Sequence, residues 1–121
     1  MTKKILIIED DEFFRELIAK KLHNSGFEFS MSINGRDGIE KVKEEKPGLV
    51  FLDVLLPDVD GFEVLSKIRE DKEISSTPVI ILSNLGQKED LDRGLKLGAT
   101  DYLIKAQIDI DEIIEKIKKY I

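Results

Sequence analysis

Leu49-Val50-Phe51-Leu52-Asp53-Val54-Leu55-Leu56-Pro57-Asp58 decides the fold of this chain. The run is continuously apolar and is bounded by Pro47-Gly48 and Pro57, the character of a strand buried on both faces in the middle of a parallel sheet. It ends on a carboxylate. Open α/β sheets bind ligands at the carboxyl ends of their strands, so Asp53 stands where such sheets do their chemistry. Taken alone, the stretch fits equally well an Asp that merely caps a strand-to-loop turn.

Working outward, Ile5-Leu6-Ile7-Ile8 is a second buried run, and Glu9-Asp10-Asp11-Glu12 follows it. Phe14, Leu17, Ile18 and Leu22 then recur at helical spacing, and Gly26 takes the place just past the helix end. Residues 27–32 alternate, which predicts a half-exposed strand at the sheet edge. Residues 34–46 carry Ile39 and Val42 among charges, and Pro47 stops this short helix. Beyond the central strand, the loop 56–61 leads to a helix with Phe62, Leu65 and Ile68 inward. Thr77-Pro78 opens the strand Val79-Ile80-Ile81-Leu82, ending at Ser83. Residues 87–97 read as a weaker helix with Leu91 and Leu95, closed by Gly98, and Gly86 and Gly94 suit a segment that moves. Residues 99–104 form a fifth strand ending at Lys105, and Ile110, Ile113, Ile114, Ile117 and Ile121 line a last helix. Five strand–helix repeats predict an α/β fold, a doubly wound five-stranded parallel sheet in one domain over residues 1–121. In such a sheet Glu9-Asp10, Asp53, Ser83 and Lys105 converge at one edge. Each alone reads as a solvated loop residue; their convergence does not.

Composition narrows the function. With 121 residues and 41% hydrophobic content the chain has material for a sizeable core. The net charge of −6 argues against nucleic acid or an anionic membrane as the main partner. There is no cysteine, hence no disulfide framework or thiolate metal site. No apolar run approaches the roughly 20 residues of a membrane span and the N-terminus lacks the pattern of a signal peptide, so a cytoplasmic protein is expected.

Five motifs, in order and suitably spaced, carry a resemblance: Ile7-Ile8-Glu9-Asp10, Phe51-Leu52-Asp53, Leu56-Pro57-Asp58-Val59-Asp60-Gly61, Leu82-Ser83 and Asp101-Tyr102-Leu103-Ile104-Lys105. With them the chain resembles the receiver domains of two-component response regulators over essentially its whole length. The resemblance implies a flavodoxin-like fold with strand order 2-1-3-4-5. It implies that Asp53 is the phosphoacceptor, taking a phosphoryl group from a sensor histidine kinase or a histidine phosphotransferase. It further implies Mg²⁺ held by Glu9, Asp10, Asp53 and the backbone carbonyl of Leu55, with Lys105 paired to the phosphoryl oxygens. Ser83 would donate its hydroxyl to the modified Asp53, and the Tyr102 ring would turn into the space vacated. The output surface would be the face of the fourth helix, fifth strand and fifth helix, toward a partner the sequence does not name. Such a domain is no enzyme beyond its own phosphorylation and dephosphorylation. The register of the metal pair leaves Asp11 as the alternative to Glu9 and Asp10, and Tyr102 also reads as an ordinary half-buried aromatic.

The chain departs from the family at Ala106, where proline is usual, and at Asn84, where a small residue is usual. A cis bond before a non-proline costs about 2.5–4 kcal/mol, so a trans peptide is expected at Ala106. A larger side chain at 84 is expected to narrow access to the site. Leu55 and Leu85 lie two positions past Asp53 and Ser83, where the family has residues flanking the approach of water, so slow self-dephosphorylation is expected. His23 reads as a surface residue. Other classes fit less well. A dinucleotide domain needs a Gly-rich turn where this chain places four acids. An aspartyl phosphatase needs a second Asp at position 55. A purely structural interaction domain would bind no Mg²⁺. The chain ends just after the fifth helix, which fits a free-standing receiver and a piece of a longer regulator alike.

Overall fold

A computed structural model describes residues 3–121. Ten elements alternate along the chain: β1 (Ile5–Ile8), α1 (Glu12–Asn24), β2 (Phe29–Ser32), α2 (Gly35–Glu45), β3 (Leu49–Leu52), α3 (Gly61–Glu70), β4 (Val79–Ser83), α4 (Lys88–Lys96), β5 (Asp101–Ile104) and α5 (Ile110–Tyr120). The strands are all parallel in the order β2-β1-β3-β4-β5, as expected.

Strand side chains alternate between the two faces of a sheet, and here this divides the core in two. Leu6, Ile8, Val50, Leu52, Val79 and Ile81 pack with Val42 of α2 and with Phe62, Val64, Leu65 and Ile68 of α3. Their neighbours in the strands, Ile5, Ile7, Leu49, Phe51, Ile80 and Leu82, pack with Ile18 and Leu22 of α1 and Ile113, Ile114 and Ile117 of α5. A strand apolar at every position therefore has helices on both sides. Burying each such side chain contributes about 1.5–3 kcal/mol.

Three leucine and isoleucine positions expected inside lie outside. Leu17 is 43% exposed because α1 is centred on Ile18 and Leu22, and a neighbouring residue is turned about 100° away. Leu95 is 53% exposed because α4 faces the sheet through Leu91, Gly94 and Leu97, three residues apart. Ile121 lies past the end of α5 and is exposed.

Gly94 is also not the loose joint its composition suggested. A Cβ there would sit 2.9 Å from both Ile81 Cδ1 and Tyr102 Cδ2, so the missing side chain lets α4 close onto β4 and β5. Left-handed backbone is confined to Lys46, Gly26 and Gly98 among the described residues, each just past a helix.

The sheet edges are tied down by polar groups. On β2, Ser30 and Ser32 donate to Glu45 (2.7 Å) and Asp37 (2.6 Å) of α2, and the Lys41 ammonium donates to the Met31 carbonyl. On β5, Asp101 pairs with Lys116 of α5 at 2.7 Å.

Tyr102 is buried against α4 and its hydroxyl donates to the Leu85 carbonyl at 2.5 Å. Burial, with smaller contributions from Asp90 and Asp53, pushes its phenol up to about 12. The folded phenol thus keeps its proton to higher pH than the unfolded one, and the associated stability, full below pH 10, is lost as the pH climbs toward 12. Gly94→Ala should crowd this ring. We expect a loss of about 1–3 kcal/mol in urea unfolding, and a tyrosine absorbance titration shifted from about 12 back toward 10.

Candidate functional site

The three most buried charged groups of the site follow directly from the strand ladder. Each sits on the residue just after a strand and is still held by a backbone bond to the neighbouring strand. Glu9 N–H donates to Ser32 O at 2.9 Å, Asp53 N–H to Ile8 O at 3.0 Å, and Lys105 N–H to Ser83 O at 3.0 Å. One residue earlier these side chains would enter the apolar core; one later they would lie on free loop.

The Lys105 ammonium bridges the two carboxylates, 2.5 Å from Glu9 Oε1 and 2.8 Å from Asp53 Oδ2. All three side chains are at least nine-tenths buried, and the ammonium also lies over the Phe14 ring, 4.6 Å from its centroid. Burial lowers the affinity of Lys105 for its proton, but the hydrogen bonds it donates to Asp53 and Glu9 outweigh this and raise its pKa above the ordinary lysine value. Burial dominates at Glu9. It pushes that carboxyl up to about 7, with Asp53 adding to the rise, and the Lys105 contact opposes this without cancelling it. Two buried carboxylates thus share one ammonium, an excess of negative charge that a proton or a cation would relieve.

Carboxylate oxygens of Glu9, Asp10 and Asp53 all lie within 4.8 Å of one another, Asp10 being the exposed member. An all-oxygen, charged donor set suits a hard divalent cation. Asp11 is engaged elsewhere: its carboxylate caps α1, accepting from Phe13 N (3.1 Å) and Phe14 N (3.3 Å). Leu55 N–H donates to Asp53 Oδ1 at 3.0 Å, fixing the second carboxylate oxygen. The Leu55 side chain is exposed at the mouth, whereas Leu85 is partly buried against the core.

Ser83 and Tyr102 are not hydrogen-bonded to Asp53. They meet instead at Leu85, whose N–H donates to Ser83 Oγ (3.3 Å) and whose carbonyl accepts from Tyr102 OH. The tyrosine ring, expected to turn inward on modification, is here already in the inward position at 8% exposure. His23 is exposed on α1. All peptides among the described residues are trans, that before Ala106 included, and Ala106 N–H donates to Asn84 Oδ1 at 3.0 Å.

Several contributors were not singled out from sequence. Arg15 donates to the carbonyls of Glu9 (3.1 Å) and Asp10 (3.3 Å), holding the acidic turn. Its signal was a cation in the first turn of a helix, where the macrodipole disfavours one unless it has another partner. Asp58 accepts from Gly35 N (2.8 Å) and Arg36 N (3.0 Å), pinning the loop after β3 to the start of α2. Phe14 was read only as core. Asp58 and Phe14 act across loops distant in sequence and leave no local pattern.

A family model described as the response regulator receiver domain matches residues 5–118. The chain is 35% identical over 115 residues to the DNA-binding dual master transcriptional regulator RpaA of Synechocystis, covering 95% of this chain and 47% of that protein. It thus spans about half the length of such regulators. It is 31% identical over 121 residues to the polar-differentiation response regulator DivK of Brucella ovis, covering all of this chain and 98% of that one. Among solved structures, the BeF3-activated N-terminal receiver domain of Klebsiella pneumoniae RstA superposes with a TM-score of 0.89 at 27% identity, covering 97% of each chain. Strand order, acidic pocket and these matches agree: the chain belongs to the response regulator receiver domains.

Proposed function

We propose that Asp53 is the phosphoacceptor of this receiver domain and that residues 1–121 work as a single signalling unit in the cytoplasm. The observation that carries this is the Lys105 ammonium held within 2.8 Å of Asp53 in a buried acidic pocket. A carboxylate so placed is oriented by Leu55 N–H on Oδ1 and Lys105 on Oδ2, and each oxygen keeps a further lone pair with which to attack phosphorus. In the reaction an Asp53 oxygen forms the new O–P bond as the P–N bond of a donor phosphohistidine breaks. The departing imidazole takes the electron pair and a proton. The donor is a sensor histidine kinase or a histidine phosphotransferase. The domain catalyses only this transfer and the later hydrolysis, and is not an enzyme acting on other substrates.

Glu9, Asp10, Asp53 and the Leu55 carbonyl would hold Mg²⁺, whose charge offsets the repulsion between an incoming phosphoryl group and the carboxylates. Lys105 would follow the phosphoryl oxygens, and Ser83 would donate to one of them. The inward Tyr102 suits the switched arrangement, so modification would raise the population of a state the chain already visits. The output partner would read the α4–β5–α5 face. Among the described residues no helix is long and apolar enough to cross a membrane.

Three measurements test this reading. Incubation with acetyl phosphate and Mg²⁺ should add one phosphoryl group by intact mass, absent in Asp53→Asn and after chelation of the metal; labelling that persists in Asp53→Asn would remove the central claim. In Mg²⁺ titrations Glu9→Gln or Asp10→Asn should weaken binding about tenfold or more, each deleting a charge that faces the cation. Asp11→Asn should weaken it much less, because this side chain caps α1 and the amide oxygen of Asn can accept the same backbone bonds. Finally, Leu55 and Leu85 offer no hydrogen bond to an attacking water, so decay of the isolated phosphoprotein should be slow. Leu55→Asn should speed it and Leu85→Glu should add to the effect, each tenfold being worth about 1.4 kcal/mol of barrier. Equal decay in wild type and the double variant would sink that account.

A further inference from the structure

We propose that Asn84 is a positioning residue, a side-chain clip that presents Ser83 and Lys105 to the phosphoryl oxygens as one unit; this rests on the function proposed above. The two residues end adjacent strands and are joined by the last backbone rung, Lys105 N–H to Ser83 O at 3.0 Å. One residue further along both loops the bridge is continued by a side chain, Ala106 N–H to Asn84 Oδ1 at 3.0 Å. On the other side of Asn84 the loop is held again, Leu85 meeting Ser83 Oγ through its N–H and Tyr102 OH through its carbonyl. The loop after β4 is therefore fastened to β5 on both sides of Asn84, and among the described residues the carboxamide is its one hydrogen bond to the loop after Lys105.

The chemistry gives the clip a direction. Ser83 is fully buried, so a small displacement of its loop decides whether its hydroxyl reaches a group on Asp53. Lys105 approaches the same group from the neighbouring strand, already against Asp53 Oδ2. One backbone rung already joins the two residues; a second bond beyond it narrows their relative freedom further, so less is lost on engaging one phosphoryl and the affinity rises accordingly. Asn84 is exposed, so its removal leaves no cavity, and a leucine there would keep the bulk while losing the acceptor.

Beryllofluoride, used with Mg²⁺ as the phosphoryl mimic, gives the test on the 121-residue chain by calorimetry. Asn84→Ala should bind it about threefold to tenfold more weakly, the range expected for one exposed hydrogen bond. Mg²⁺ titrated alone should bind as in wild type, since none of its proposed ligands touches the clip. Asn84→Leu, which keeps the bulk of the side chain but has no acceptor for Ala106 N–H, should show the same loss. Unchanged beryllofluoride affinity in Asn84→Ala, with or without a lower melting temperature, would overturn the clip; so would wild-type affinity in Asn84→Leu. Failure of the wild type itself to bind beryllofluoride would instead overturn the assignment of Asp53, and the role of Asn84 with it.

Discussion

A single backbone hydrogen bond, from Asp53 N–H to the carbonyl of Ile8, fixes the height at which the central carboxylate stands above the sheet. Its counterparts at Glu9 and Lys105 do the same for their neighbours. Because strand side chains alternate in direction, a slip of one residue in β1, β3 or β5 would turn the group concerned to the opposite face. The runs Ile5–Ile8 and Leu49–Leu52, with Tyr102, Leu103 and Ile104 of β5, prevent that slip, since alternate residues fit one of two distinct helix-covered cores. The chemistry is thus positioned by packing that lies wholly beneath it.

What packing assembles, electrostatics resists. Two carboxylates at 3% and 5% exposure beside one ammonium cost desolvation that their mutual attraction repays only in part. The rise of Glu9 to about 7 expresses that cost directly. Neighbouring groups are arranged to lessen it: Leu55 N–H bonds Asp53, Asp11 N–H bonds Glu9 at 3.1 Å, and the Phe14 ring lies under the ammonium. Such an all-oxygen, negatively charged set suits a hard divalent cation.

The sheet and most of the pocket were legible in the sequence because both depend on local runs. Uninterrupted β-branched and leucine segments mark buried parallel strands, and a polar residue at the end of such a run lands at the sheet edge. Helix faces were read less well. Leu17, Leu95 and Ile121 were assigned inward because spacing identifies a stripe without fixing its centre, and in α4 that centre is a glycine, which no hydrophobic pattern can mark. Gly94 itself was read as freedom of motion when it is closeness of approach. The contacts of Asp58 and Asn84 link segments that meet only after folding, each reaching 22 residues or more along the chain.

The polar bonds along β2 and β5 bear on how this domain meets other molecules. An open sheet offers unpaired peptide groups at both borders, and another extended chain can pair with them. Here the ammonium of Lys41 occupies an outward carbonyl of β2, two serine–carboxylate bonds lash that strand to α2, and the Asp101–Lys116 pair guards β5. Strand addition from outside would have to displace charged groups with nothing equivalent to offer them. Pairing at either border of the sheet is thereby disfavoured, and contacts with other molecules fall to the helices and loops.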